Sequence, residues 1–163
     1  MKELKLFVRD MQKEAALLKE FARLEDEMQV CAGEKRWEDI EGIIGRLREN
    51  SQTLNSIEEN RCSSFDAVKI RLGIARDAGF LSLLPLVPAE VREELLSTYR
   101  KLKVAVYSVK GATTRLTYYF KSMEESFRKV MGELFPYRKG RLYAKDGKPT
   151  KVPADALLLN KHL

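Results

Sequence analysis

Between Leu95 and Leu134 the large apolar residues recur in alternating steps of four and three: Leu95, Tyr99, Leu102, Val106 and Val109, then polar Thr113, then Leu116, Phe120, Met123, Phe127, Val130 and Leu134. An apolar repeat averaging about 3.5 residues, held this long, specifies a helix that lays one seam against other helices. Lys101, Lys103, Arg115, Lys121, Arg128 and Lys129 fall off the seam, where water can reach them. Pro136 ends the run, because the residue before a proline avoids the helical region. A helix from about Pro88 to Phe135 would be ~70 Å long. A 163-residue globule needs no such rod. An elongated bundle does.

Two other stripes supply its partners. Leu4, Phe7, Met11, Leu17, Leu18, Phe21, Leu24, Met28 and Cys31 mark a first helix, with Gly33 as its C-cap. Trp37, Ile40, Ile44, Leu47, Leu54, Ile57, Phe65, Val68 and Leu72 mark a second, ended by Gly73 or Gly79. Gly42 and Gly45 lie inside it and weaken it by up to ~1 kcal/mol each relative to alanine, which a close approach of the first helix would explain. The expected fold is therefore all-α: an elongated antiparallel three-helix bundle or coiled coil over residues 1–136, with helices about 2–32, 36–76 and 88–135. A mobile, basic C-terminal tail, 137–163, follows. In an up-down-up arrangement the first helix is expected beside the C-terminal half of the third, leaving two helices at the other end. The twice proline-broken segment Phe80–Pro88 reads either as a buried connector capping that end or as an exposed docking patch.

Charge and cysteine usage narrow the function classes. The net charge of +6 is concentrated in the tail: residues 137–163 carry 7 Lys+Arg against 2 Asp+Glu, while residues 1–136 are nearly balanced. The body is thus not a polycationic nucleic-acid binder. Cys31 and Cys62 lie too far apart along helices to bridge, and they read as buried or half-buried thiols. The lone histidine, His162, excludes an internal Ser-His or Cys-His pair. Phosphate-cradling glycine runs are absent. Consecutive acidic pairs such as Glu93-Glu94 and Glu124-Glu125 diverge around a helix rather than converge on a metal. A non-enzymatic protein without cofactor or metal is expected. No apolar run approaches the ~20 residues of a membrane span. The opening Met1-Lys2-Glu3-Leu4-Lys5 does not read as a signal peptide, so a cytoplasmic protein is expected.

Two stretches point to a macromolecular partner. On the third helix Phe120, Met123 and Phe127, with Met131 and Phe135 beside them, place apolar residues on more than one side. They read as a wide core face or as a groove for an additional amphipathic helix. In the tail, Tyr137, Leu142 and Tyr143 alternate with basic residues over a segment with no helical stripe, and Asp146-Gly147 is a turn signal. Segment 136–151 is expected to be flexible when free and to order on a partner. The alternatives are a nucleic-acid-binding helical module using the basic aromatic tail, or a structural coiled-coil subunit.

The order of these features resembles the FlgN family of flagellar export chaperones: a Leu/Glu-rich first helix; a short break before Trp37-Glu38-Asp39-Ile40 with Ile44 and Leu47 following; a long second helix; a very long third; and a Tyr-x-x-x-Gly element, here Tyr143-Ala144-Lys145-Asp146-Gly147. The resemblance implies an all-helical cytoplasmic chaperone. It would hold hook–filament junction (hook-associated) proteins by their C-terminal helical segment and present them to the flagellar type III export gate. It assigns Tyr143 and Gly147 to partner binding. Nucleic acid and membrane insertion are not expected, and a homo-oligomer is left open. Deleting residues from Tyr137 onward is expected to leave the helical content and thermal midpoint nearly unchanged by circular dichroism while weakening partner capture. Tyr143→Ala should reproduce more of that loss than Lys145→Ala. A midpoint several degrees lower would show instead that the tail is packed into the fold.

Overall fold

The computed structural model describes residues 2–134, 141–143 and 149–151. Three α-helices dominate: α1 (Lys2–Gly33), α2 (Trp37–Leu72) and α3 (Ala89–Leu134), with a short 3-10 helix, Phe80–Leu86, between α2 and α3. Two three-residue strands, β1 (Arg141–Tyr143) and β2 (Pro149–Lys151), pair antiparallel, Leu142 opposite Thr150. The chain divides into two compact units, Met1–Thr117 and Tyr118–Leu163. No described helix is long and apolar enough to cross a membrane. The expected turn at Asp146-Gly147 lies outside the described residues.

In the first unit α1 and α2 run antiparallel, and ion pairs fix their register. Glu3 meets Arg71 at 3.5 Å, Glu14 meets Arg61, and Glu20 meets Arg46 at 2.7 Å. Each step forward along α1 is a step back along α2. The Glu14–Arg61 pair is the most enclosed of the three. Removing one partner of such a pair leaves a charge without compensation, so it discriminates against a slipped register more than it adds stability. On α1 the expected stripe is the core: Leu4, Phe7, Met11, Leu18, Leu24, Met28 and Cys31 are buried, and Leu17 and Phe21 half-buried.

α1 and α2 are ended by the same device. Gly73 takes φ 66°, its N–H donates to the Ile70 carbonyl, and Ile74 N–H donates to the Lys69 carbonyl at 3.0 Å. This is a Schellman stop, and it ends α2 at Leu72, short of the expected residue 76. At the α1–α2 turn the equivalent bonds run from Lys35 to Ala32 and from Arg36 to Cys31. The left-handed residue there is Lys35, at φ 62°, and not the expected Gly33.

The largest core cluster gathers Leu4, Phe7, Val8 and Met11 of α1, Val68 of α2, Leu83 and Val87 of the connector, and Leu95, Leu102 and Ala105 of α3. A row of rings runs through it. Phe65 stacks on Phe7 at 5.1 Å, Phe7 meets Phe80 at 6.4 Å, and Phe80 stacks on Tyr99 at 3.9 Å. Cations close both ends, with Lys69 Nζ 4.5 Å from the Phe65 centroid and Lys103 Nζ 5.7 Å from that of Tyr99. A second cluster joins Leu24, Met28 and Cys31 to Ile43, with Leu116 packed against it.

Five expectations are corrected. The N-terminal turns of α1, not its far end, meet the start of α3, so three helices and the connector converge where only two helices were expected. Phe7 and the fully buried Leu83 supply apolar surface at this end. The connector is neither wholly capping nor wholly exposed: Leu83 and Val87 face in, while Leu81 and Leu86 face water. On α2 the inward residue is Ile43, whereas Trp37 and Ile44 are exposed, because the stripe is rotated toward Ile40, Ile43 and Leu47. Cys62 is exposed, and no neighbour lies within 4 Å of the place a Cβ would take at Gly42 or Gly45, so helix approach does not explain those glycines.

The glycines thus stand where the helix does not need them, and the left-handed turn lacks one. Gly42→Ala and Gly45→Ala are each expected to stabilise by ~0.5–1 kcal/mol. Lys35→Gly should gain a similar amount by relieving the left-handed penalty. Each kcal/mol raises the thermal midpoint by about 2–4 °C in a chain of this size. Midpoints unchanged in all three variants would contradict the assignment.

Candidate docking face on the third helix

α3 carries two different rows along its length, and only the first is buried. Up to Leu116 the buried positions are Leu95, Thr98, Leu102, Ala105 and Ala112, with Val109 and Leu116 half-buried. This row steps three-four, not four-three, from Leu95. The seam members Tyr99 and Val106 flank it half-buried, and Thr113 is exposed. Thr98, Ala105 and Ala112 are small and spaced by sevens, which keeps them on one line and lets neighbouring side chains close over the backbone. That regular spacing was the signal in the sequence, hidden because small residues carry little weight in an apolar count.

Thr113 has its own role. Its hydroxyl donates to the Glu25 carboxylate at 2.8 Å, and Arg115 pairs with Asp26 at 2.6 Å, tying α3 to the last turns of α1. Burial pushes the Glu25 carboxyl above its ordinary value, and the adjacent Asp26 adds to the rise, while Thr113 and Arg115 oppose it. On the neighbouring turn the hydrogen bond from Arg23, together with Arg46, draws Glu20 below its ordinary value.

In the second unit the helix carries a continuous apolar stripe. Phe120, Met123, Phe127, Val130 and Leu134 lie along one side, between 37% and 66% exposed. Met131 at its margin is half-buried, and Tyr119 meets the Phe120 ring edge-on at 5.7 Å. The Arg128–Glu124 pair at 2.7 Å, one turn apart, supports the helix there. Of the candidate residues read from the sequence, Phe120, Met123, Phe127 and Met131 share this stripe. Leu142 and Tyr143 fall in β1, where Tyr143 pairs with Pro149. Phe135, Tyr137 and Gly147 lie outside the described residues, as does the expectation of a mobile tail.

The face has the chemistry of an interface. It offers bulky, weakly directional groups on a preformed helix. Among the described residues no group of three or more His, Cys, Asp or Glu side chains is placed to hold a metal ion. No protein-family model matches this chain, and neither a curated protein nor a solved structure matches it.

Glu25 sets a pH dependence whose sign can be worked out. A carboxyl held above its ordinary value of 4.5 contributes stability that is present at low pH and lost as pH rises through the raised value. Glu25→Gln keeps an acceptor for Thr113 and removes the titration. The midpoint of the variant relative to wild type should therefore be higher at pH 7 than at pH 4. An offset that is constant between those pH values would contradict the account.

Proposed function

We propose that this protein is a non-enzymatic cytoplasmic chaperone built on an antiparallel three-helix bundle. Its client is the amphipathic C-terminal helix of a hook–filament junction protein, presented to the flagellar type III export gate. The observation that carries the reading is the exposed stripe Phe120–Leu134: a helix face with core composition and core spacing that no described residue covers. Exposed apolar area of this kind is costly to maintain in water unless something binds it. A second amphipathic helix, laid seam to seam, buries it with the geometry the spacing already encodes. The order of helices and the Tyr143–Gly147 element, which resemble the FlgN family, supply the identity of the client.

The test is direct binding of a purified C-terminal helical fragment of a hook–filament junction protein by calorimetry. Phe127 is 65% exposed, so Phe127→Asp should leave the thermal midpoint within a degree or two. Burying a large side chain is worth ~1.5–3 kcal/mol, so the same change should weaken the fragment at least about tenfold. Unaltered affinity in Phe127→Asp would move the docking site elsewhere. Capture of nucleic acid instead, with affinity falling steeply with salt, would favour a nucleic-acid module.

A further inference from the structure

We propose a second docking surface, independent of the stripe at Phe120–Leu134: the furrow between α1 and the N-terminal half of α3, which takes an amphipathic helix with an acidic polar face. Two hollows lie along the furrow. One, of about 200 Å³, is walled by Leu4, Lys5, Val8, Arg9, Val91 and Glu94. The other, of about 430 Å³, is walled by Lys19, Leu96, Ser97, Arg100, Lys101 and Val104, with Glu93 at its edge. Lys5, Arg9 and Lys19 fall within an arc of about 80° on α1, since a step of four advances by about 40° and the step of ten that follows returns by about 80°.

The charge around the furrow is predominantly positive. Its walls carry Lys5, Arg9, Lys19, Arg100 and Lys101 against Glu93 and Glu94. Lys5, Arg9, Lys19, Arg100 and Lys101 make no ion pair or hydrogen bond with any described residue, whereas Arg23, Arg46, Arg61, Arg71 and Arg115 are each paired with a carboxylate. Cations left unpaired around an apolar floor repel one another across distances comparable to the Debye length of ~8 Å. An incoming row of carboxylates relieves that repulsion.

The floor chooses the occupant. Leu96 is half-buried and Val104 is 60% exposed, and the walls of neither hollow include an aromatic ring. Single-stranded nucleic acid gains its non-ionic affinity by stacking on aromatic side chains, which the furrow does not offer. A membrane surface reaches exposed lysines but not the floor between two helices. An amphipathic helix fits a furrow between two helices, with apolar residues on Leu96 and Val104 and glutamates opposite Lys19, Arg100 and Lys101. From Val91 to Val104 the furrow is ~20 Å long, room for a helix of about 13 residues.

The experiment uses the full chain and two synthetic 18-residue helical peptides with the same leucine stripe. One carries glutamates on its polar face and the other lysines, and binding is read by fluorescence anisotropy at low and high salt. The glutamate peptide is expected to bind at least tenfold more tightly than the lysine peptide. The triple variant Lys19→Glu, Arg100→Glu, Lys101→Glu should reverse that preference, and Val104→Asp should weaken the glutamate peptide even in high salt. Phe127→Asp should leave it unchanged, which separates this surface from the one proposed above. If the triple variant lowers the thermal midpoint, Arg100→Gln with Lys101→Gln reads the same loss, about threefold or more. Equal binding of both peptides overturns the proposal. So does loss of binding in Phe127→Asp but not in the furrow variants. Tighter binding of single-stranded oligonucleotide or of anionic phosphatidylserine vesicles than of the glutamate peptide also overturns it.

Discussion

Phe7 is the residue on which the first unit turns. Its ring lies between Phe65 of α2 and Phe80 of the connector, and Phe80 in turn stacks on Tyr99 of α3. Every helical element of that unit contributes to this one row. Each ring pair adds ~0.5–1.5 kcal/mol beyond the burial of its area. The larger effect is positional, because the stacked pairs Phe7–Phe65 and Phe80–Tyr99 hold their elements at one offset and penalise the others. Lys69 shows how closely the row is tied to the chain path. Its side chain is buried over Phe65, pairs with Asp66 at 2.7 Å and donates to the Arg76 carbonyl at 2.6 Å. The same residue's backbone carbonyl accepts the bond that stops α2. The exit of α2 and the entry of the connector are thus built from one residue.

That anchoring decides how α3 is used. Its first turns are drawn to the N-terminal end of α1 by Leu83, Val87 and Leu95, and the last turns of α1 meet Leu116. Between these points α3 presents small residues, Thr98, Ala105 and Ala112, to its neighbours. From Tyr118 onward it presents large ones to water. Small residues suit a permanent contact, where close approach of backbones adds dispersion. Bulky aromatic and thioether groups suit a surface that is covered intermittently, since they bury much area at modest entropic cost.

Charge is distributed in the same spirit. The carboxylates of α1 that face α2 and the middle of α3 are matched by arginines: Glu3 by Arg71, Glu14 by Arg61, Glu20 by Arg23 and Arg46, and Asp26 by Arg115. The cations along the α1–α3 furrow are not matched in this way. Exposed pairs contribute little to stability, ~0–1 kcal/mol each. Their value lies in register for those that are paired, and those that are not are the cations the proposed acidic helix would meet.

The sequence by itself determined the number, type and approximate ends of the helices, because periodicity, proline and glycine act within a few residues of where they stand. The stripe of α1 and the break at Gly73 were legible for that reason. Three of the candidate face residues, Phe120, Met123 and Phe127, could be placed on one seam of a helix from spacing alone, with Met131 beside it. What the sequence did not contain was which part of a face would be covered. Leu102 and Phe127 obey the same repeat, yet one is buried and the other exposed. That difference was decided by tertiary structure, through the row of rings that sets where α3 begins against α1. The rotation of α2 that turned Ile43 inward and Trp37 outward was likewise invisible, because several apolar residues lie near the edge of the stripe and only the neighbour's position selects among them. Local chemistry fixes the angle at which a side chain leaves its helix, and contacts between residues far apart in the chain fix what it meets.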